Sequence, residues 1–261
     1  MVVGNDSIDE KETLRNNKLD NAFKEVMSLA DILSHTLGPL ITELNGLEPE
    51  VIKSYLPLEK EGDRIIKLEQ ELPTPDGSGI RLDVLFELRI PGNQPINIEV
   101  NLEGQAKRRL GYPMGNRALY YTSTMIHDQK GKYFKGEHYE KMNKVYSIWL
   151  MLSPRKDSMN SIVRHHMVAD TIYGNNTSND SNCNLMEIIE VNIGDRFDFK
   201  DGMLGLLNIL FTRNIDASER IRLLGEYYNI EKSEYLIKGV TKLSMIIDDT
   251  TLDEEIMCDR M

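Results

Sequence analysis

Asp83 and Glu99 are separated by fifteen residues and sit in two stretches of alternating polarity. In RLDVLFELRI, residues 81–90, Leu82, Val84, Phe86, Leu88 and Ile90 fall on one side of an extended chain. In INIEVNL, residues 96–102, Ile96, Ile98, Val100 and Leu102 do the same, leaving Asn97, Glu99 and Asn101 on the other side. The intervening PGNQP, residues 91–95, reads as a turn, so the two strands form a hairpin. Because the apolar rows must share a face, Asp83, Glu87, Glu99 and Asn101 share the opposite one. Two carboxylates on neighbouring strands suit a hard cation. Mg²⁺ takes one or two carboxylates and keeps positions for water and phosphate oxygens, where it activates water or steadies charge on a phosphoryl oxygen. The backbone carbonyl of Val100 offers a further ligand. A hydrated sheet face has the same alternation, so the pattern alone leaves both readings open.

The elements that position these residues follow from periodicity and breakers. Residues 1–17 are polar and expected to be flexible; a helical stripe then runs from Leu19 to Thr36 and stops before Gly38-Pro39. A short helix is expected near 49–55, a strand within 63–72, and a loop at PTPDGSG, residues 73–79. After the hairpin, a helical period covers roughly 105–125 with a break at Gly111-Tyr112-Pro113. KVYSIWLML, residues 144–152, reads as a central strand, and 162–168 and 185–193 as two more, separated by a polar loop. Helices over 202–211, 217–228 and 232–247 follow, then an acidic tail. The order predicts a mixed α/β protein. No glycine-rich turn follows a strand, which excludes the usual nucleotide-binding fingerprints.

Composition narrows the function classes. The apolar fraction of 40% and charged fraction of 28% are those of an ordinary globular chain. No apolar run reaches the length of a membrane span and the N-terminal residues lack a secretory pattern, so a cytoplasmic protein without a membrane partner is expected. Cys183 and Cys258 lack the spacing of a disulfide framework or zinc site. The net charge of −11 argues against a nucleic-acid partner on average, yet Gly104 to Lys144 holds nine basic and three acidic residues. A solvated face accounts for such an island as well as phosphate contact does. His165 and His166 adjoin on a strand and point to opposite faces, which makes joint ligation of one metal difficult. Trp149 reads as core.

Five motifs in order carry a family resemblance. They are Asp20-Asn21-Ala22-Phe23-Lys24, Arg81-Leu82-Asp83-Val84, Ile96-Asn97-Ile98-Glu99, Arg117-Ala118-Leu119-Tyr120-Tyr121, and Val145-Tyr146-Ser147-Ile148-Trp149-Leu150. Together they resemble the PD-(D/E)XK nuclease superfamily and, within it, the transposase-related, recombination-promoting nuclease branch. The resemblance implies a restriction-endonuclease-like mixed sheet flanked by helices, over 18–199, with a helical extension and acidic tail over 200–261 packed on it. It implies Mg²⁺-dependent cleavage of DNA, with Mn²⁺ an alternative ion. Asp83 and Glu99 would ligate metal, and Asp20 would add a carboxylate near it; an i,i+4 ion pair with Lys24 is the plain alternative for Asp20. Lys107, Arg108, Arg109 and Arg117 would grip the DNA backbone and Tyr121 would stack on or hydrogen-bond to it. One position departs from the pattern: Asn101 stands where the superfamily carries Lys and this branch usually Gln. An amide can only position water by hydrogen bonds, so catalysis would be weakened unless Gln105, Lys107 or Lys24 stands in. A degenerate relative that binds DNA or protein without cutting is the competing reading, and a second copy of the chain is a candidate partner in either case.

Overall fold

The two alternating stretches form the expected hairpin: β3 (Val84–Ile90) runs antiparallel to β4 (Ile96–Gln105), in register from Val84 opposite Leu102 to Ile90 opposite Ile96. The structure is a computed structural model and describes residues 5–74, 76–106, 111–175, 183–194, 202–213 and 215–248. Before the hairpin lie α1 (Asn5–Val26), α2 (Ala30–Leu37), α3 (Pro49–Tyr55) and the short strands β1 (Glu71–Leu72) and β2 (Ile80–Arg81). After it come α4 (Met114–Asp128), β5 (Lys144–Met151), β6 (Ser161–His166) and β7 (Met186–Asn192), then α5 (Gly202–Phe211), α6 (Ala217–Tyr228) and α7 (Glu234–Ile247). The chain is therefore mixed α/β, with a five-stranded sheet and a helical C-terminal part. Among the described residues no helix is long and apolar enough to cross a membrane.

Contacts divide the chain into two units, one holding residues 1–53, 60–64 and 193–261, the other 54–59 and 65–192. The expected core over 18–199 groups the N-terminal helices with the sheet. By their contacts they belong with the C-terminal helices, because α1 packs along α7.

In the sheet-bearing unit the strand order is β3-β4-β5-β7-β6, with β4, β5 and β7 mutually parallel and the two outer strands antiparallel to their neighbours. Parallel neighbours need a crossover, and α4 supplies the one between β4 and β5. Ala118 of α4 packs with Trp149 and Ile188, and Met125 with Leu82, Leu85 and Val145. β5 is central, and its six residues from Val145 to Leu150 are all buried, which is why its sequence reads as one apolar run.

Several expected boundaries shift for identifiable reasons. The helix expected over 19–36 begins at Asn5 and breaks at residues 27–29, where Leu29 pairs with Arg64 and the Ala30 amide donates to the Asp63 carbonyl at 2.9 Å. Of the strand expected over 63–72, Glu71 and Leu72 form β1, and Arg64 and Ile65 make only isolated bridges. The helix expected from 105 starts at Met114, since β4 continues to Gln105.

In the helical unit the main polar anchor is Arg220, fully buried on α6. Its guanidinium donates to the carbonyls of Leu210 at 2.9 Å and Thr212 at 2.6 Å, to that of Ile209, and to Ser244 Oγ at 2.9 Å. These carbonyls lie at and just beyond the C-terminal end of α5, where a helix runs out of amides to pair with its last carbonyls. Replacing Arg220 by Met should lower unfolding stability by roughly 3 kcal/mol or more, because the carbonyls stay buried without donors. Urea denaturation of the full chain would measure this; an unchanged midpoint would mean that those carbonyls are satisfied in another way.

Candidate active site

The hairpin register decides which carboxylates meet. With Val84 opposite Leu102, Leu85 opposite Asn101 and Glu87 opposite Glu99, the position facing Asp83 is Glu103. The contacts agree. The Asp83 amide donates to Glu103 Oε1 at 3.2 Å, the Gly104 amide donates to Asp83 Oδ2 at 2.9 Å, and Asn101 Nδ2 donates to Glu103 Oε1 at 3.1 Å. Asp83 retains 9% of its exposure, Glu103 3% and Asn101 none. Burial and then the charge of Asp83 push the Glu103 carboxyl up to about 8, while Asn101, the Asp83 amide and Arg117 draw it back.

Arg117 stands in the second turn of α4 and presents the cation. Its Nη2 donates to the Tyr121 hydroxyl at 3.0 Å, and the guanidinium lies 4.9 Å from the Tyr121 ring centroid and 5.3 Å from that of Trp149. Trp149 is the residue beside Glu103 on β5, and its indole donates to Ser147 Oγ at 2.9 Å. The expected DNA contacts Arg117 and Tyr121 thus lie around the acidic pair. Lys107, Arg108 and Arg109 fall outside the described residues.

The expectation that Asp83 and Glu99 share one ion is corrected. Glu99 is on the same face but four residues from Glu103 along β4, an offset of about 13 Å at strand rise. It belongs to a different network: its Oε2 accepts from Gln129 Nε2 at 3.0 Å, and Tyr133 hydrogen-bonds to both Glu99 and Glu87 across the strand pair. Burial raises the Glu99 carboxyl, opposed by Tyr133 and Gln129, and burial and the two carboxylates keep the Tyr133 phenol protonated. Val100 is corrected as well. It is fully buried between Phe86 and Tyr146 on the apolar face of a strand paired on both sides, so its carbonyl serves the sheet. Asp20 lies on α1, in the helical unit, and accepts from Lys24 Nζ at 2.8 Å, the plain i,i+4 ion pair.

Glu103 is the residue that the alternation up to Leu102 leaves out, although the polar row continues through Asn101, Glu103 and Gln105. A signal for it existed. A five-residue turn centred on Asn93 places residue 103 ten positions after the centre, as Asp83 is ten before it.

Among the described residues no group of three or more His, Cys, Asp or Glu side chains is placed to hold a metal. Two carboxylates with an amide oxygen nevertheless fit a hard divalent ion, and the Asn101 Oδ1 beside Glu103 is buried with no hydrogen-bond partner among the described residues. No family model, no curated protein and no solved structure matches the chain.

The raised Glu103 carboxyl makes stability depend on pH. The proton is held more tightly in the folded state than at the ordinary 4.5, so this contribution is complete below 4.5 and is lost as pH rises through about 8. In metal-free buffer, unfolding stability should fall across that window with a slope of at most about 1.4 kcal/mol per pH unit. Glu103→Gln should flatten it. Parallel curves for the two proteins in thermal melts from acid to mildly alkaline pH would rule out this proton.

Proposed function

We propose that the chain is a cytoplasmic, metal-dependent nuclease that hydrolyses DNA phosphodiester bonds, with Asp83 and Glu103 as the metal-holding pair. The observation that carries this reading is the meeting of the two carboxylates across one residue pair of the hairpin, with an unpartnered amide oxygen beside them. The resemblance is better served by this pair than by Asp83 with Glu99. Glu103-Gly104-Gln105 has glutamine two residues after the glutamate, where Glu99-Val100-Asn101 has the shorter asparagine.

Asp83, Glu103 and the Asn101 amide oxygen would hold Mg²⁺, with Mn²⁺ as a substitute. When bound, the ion supplies a more acidic water and neutralises charge on the phosphoryl oxygens. Glu103 must first give up its proton, since a ligating carboxylate is ionised. Gln105, on the same face two residues on, would orient the attacking water through its amide. Arg117 supplies positive charge for a phosphate oxygen, and it stands near the start of α4, where Pro113 leaves the first turn without a side-chain cap. Water attacks phosphorus and gives up a proton to solvent, the bond to the leaving sugar oxygen breaks, and that oxygen takes up a proton from solvent.

The test is Mg²⁺-dependent cutting of circular DNA, supercoiled or single-stranded, by purified protein. Asp83→Asn and Glu103→Gln should each lose about a hundredfold or more in rate, while Glu99→Gln should keep cutting. Calorimetric Mg²⁺ titration near pH 7 in two buffers of different ionisation heat should show proton release that Glu103→Gln abolishes. Loss of cutting in Glu99→Gln with retention in Glu103→Gln would reverse the assignment. DNA binding without cutting in the unsubstituted protein would favour the degenerate, binding-only relative.

A further inference from the structure

The carboxylate pair is recessed: Asp83 keeps 9% of its exposure and Glu103 3%. On α4, which carries Arg117, and on the turn that leads into it, aromatic side chains are presented to solvent. Tyr112 is 51% exposed and Tyr120 49%. Tyr112 is close enough to Arg117 to interact with it electrostatically, and Tyr120 follows Arg117 by three residues on α4, a spacing that places the two on neighbouring positions of the helix surface. Tyr112 precedes Pro113, which restricts its backbone to extended conformations, and follows Gly111 at φ +79°, so the turn presents it in a defined way.

Solvent-facing tyrosines close to a guanidinium combine stacking platforms with charge for the backbone, the combination that holds unpaired strands without sequence preference. In duplex DNA both faces of each base are already stacked on neighbours, so a ring gains little there. An unpaired strand offers free base faces and bends into a recessed site. We propose that this protein acts on single-stranded DNA, whose bases stack on Tyr112 and Tyr120 while its backbone passes Arg117 toward Asp83 and Glu103. The inference rests on the nuclease reading and specifies its substrate.

Fluorescence anisotropy in EDTA, where no cutting takes place, tests it with a labelled mixed-sequence oligonucleotide and the duplex of the same sequence. The single strand should bind more tightly. Tyr112→Ala and Tyr120→Ala should each weaken single-strand binding about fivefold or more and leave duplex binding unchanged, whereas Tyr→Phe at either position should retain it. Both residues are exposed, so thermal melts of the variants should match that of the unsubstituted protein. Equal or tighter binding of the duplex, or Ala variants that bind the single strand unchanged, would overturn the inference. The two readings fail separately. Asp83-dependent cutting of duplex DNA with no tyrosine dependence overturns the single-strand inference and leaves a nuclease. Tyrosine-dependent single-strand binding with no Mg²⁺-dependent cutting supports the stacking surface and removes the nuclease.

Discussion

The register of one hairpin governs the chemistry of this protein. By aligning Val84 with Leu102, it sets two acidic pairs on the same face of the sheet, Glu87 opposite Glu99 and Asp83 opposite Glu103. Like charges directly opposite one another destabilise a strand pair, and burial makes the repulsion worse. The fold resolves the two pairs differently. Around Glu87 and Glu99 it brings a neutral phenol from Tyr133, and for Glu99 also the fully buried Gln129, whose amide is held by Asn143 on both its oxygen and its nitrogen. That network is closed by the protein's own donors. Around Asp83 and Glu103 the donors include two backbone amides and Asn101, and burial together with the charge of Asp83 raises the Glu103 carboxyl so that it holds its proton more tightly. A proton can be exchanged for a cation, and a closed network cannot take one without breaking its hydrogen bonds.

The strands on the other side of β4 make this arrangement tolerable. Ser147 and Trp149 lie beside Asn101 and Glu103, and the indole presents its face to Arg117 while its N–H is satisfied by Ser147. Arg117 therefore rests on two rings, Trp149 and Tyr121, that are themselves 5.6 Å apart. A planar guanidinium is well suited to this, since it stacks on aromatic faces and keeps its in-plane donors available.

Much of this was legible in the residues and some was not, for physical reasons. Alternation located β3 and β4, the apolar run located β5, and helical periods located α6 and α7, whose first turns the structure caps with the side chains of Asp216 and Ser233. These are local signals. The break between α1 and α2 is not local: it depends on backbone pairing of Leu29 with Arg64, far along the chain. Residues 5–17 are polar enough to read as loose, yet they are helical and continuous with the stripe that follows. At the site, the row of alternating residues showed which side chains share a face but not which two are opposite. Proximity in sequence favoured Glu99; symmetry about the turn favours Glu103.

Under the nuclease reading, the same pairing couples metal to substrate. Without metal, Arg117 partly balances Glu103, as its effect on that carboxyl indicates. A divalent ion held by Asp83 and Glu103 would take over that balance with a larger charge. Arg117 would then have less to gain from Glu103 and more from a phosphate oxygen, so metal and nucleic acid would favour each other's binding through one guanidinium. Thermodynamic reciprocity requires the effect to run in both directions. The proton on Glu103, the ion that replaces it and the phosphate that follows are then successive answers to one problem, a buried pair of carboxylates that the hairpin register forces together.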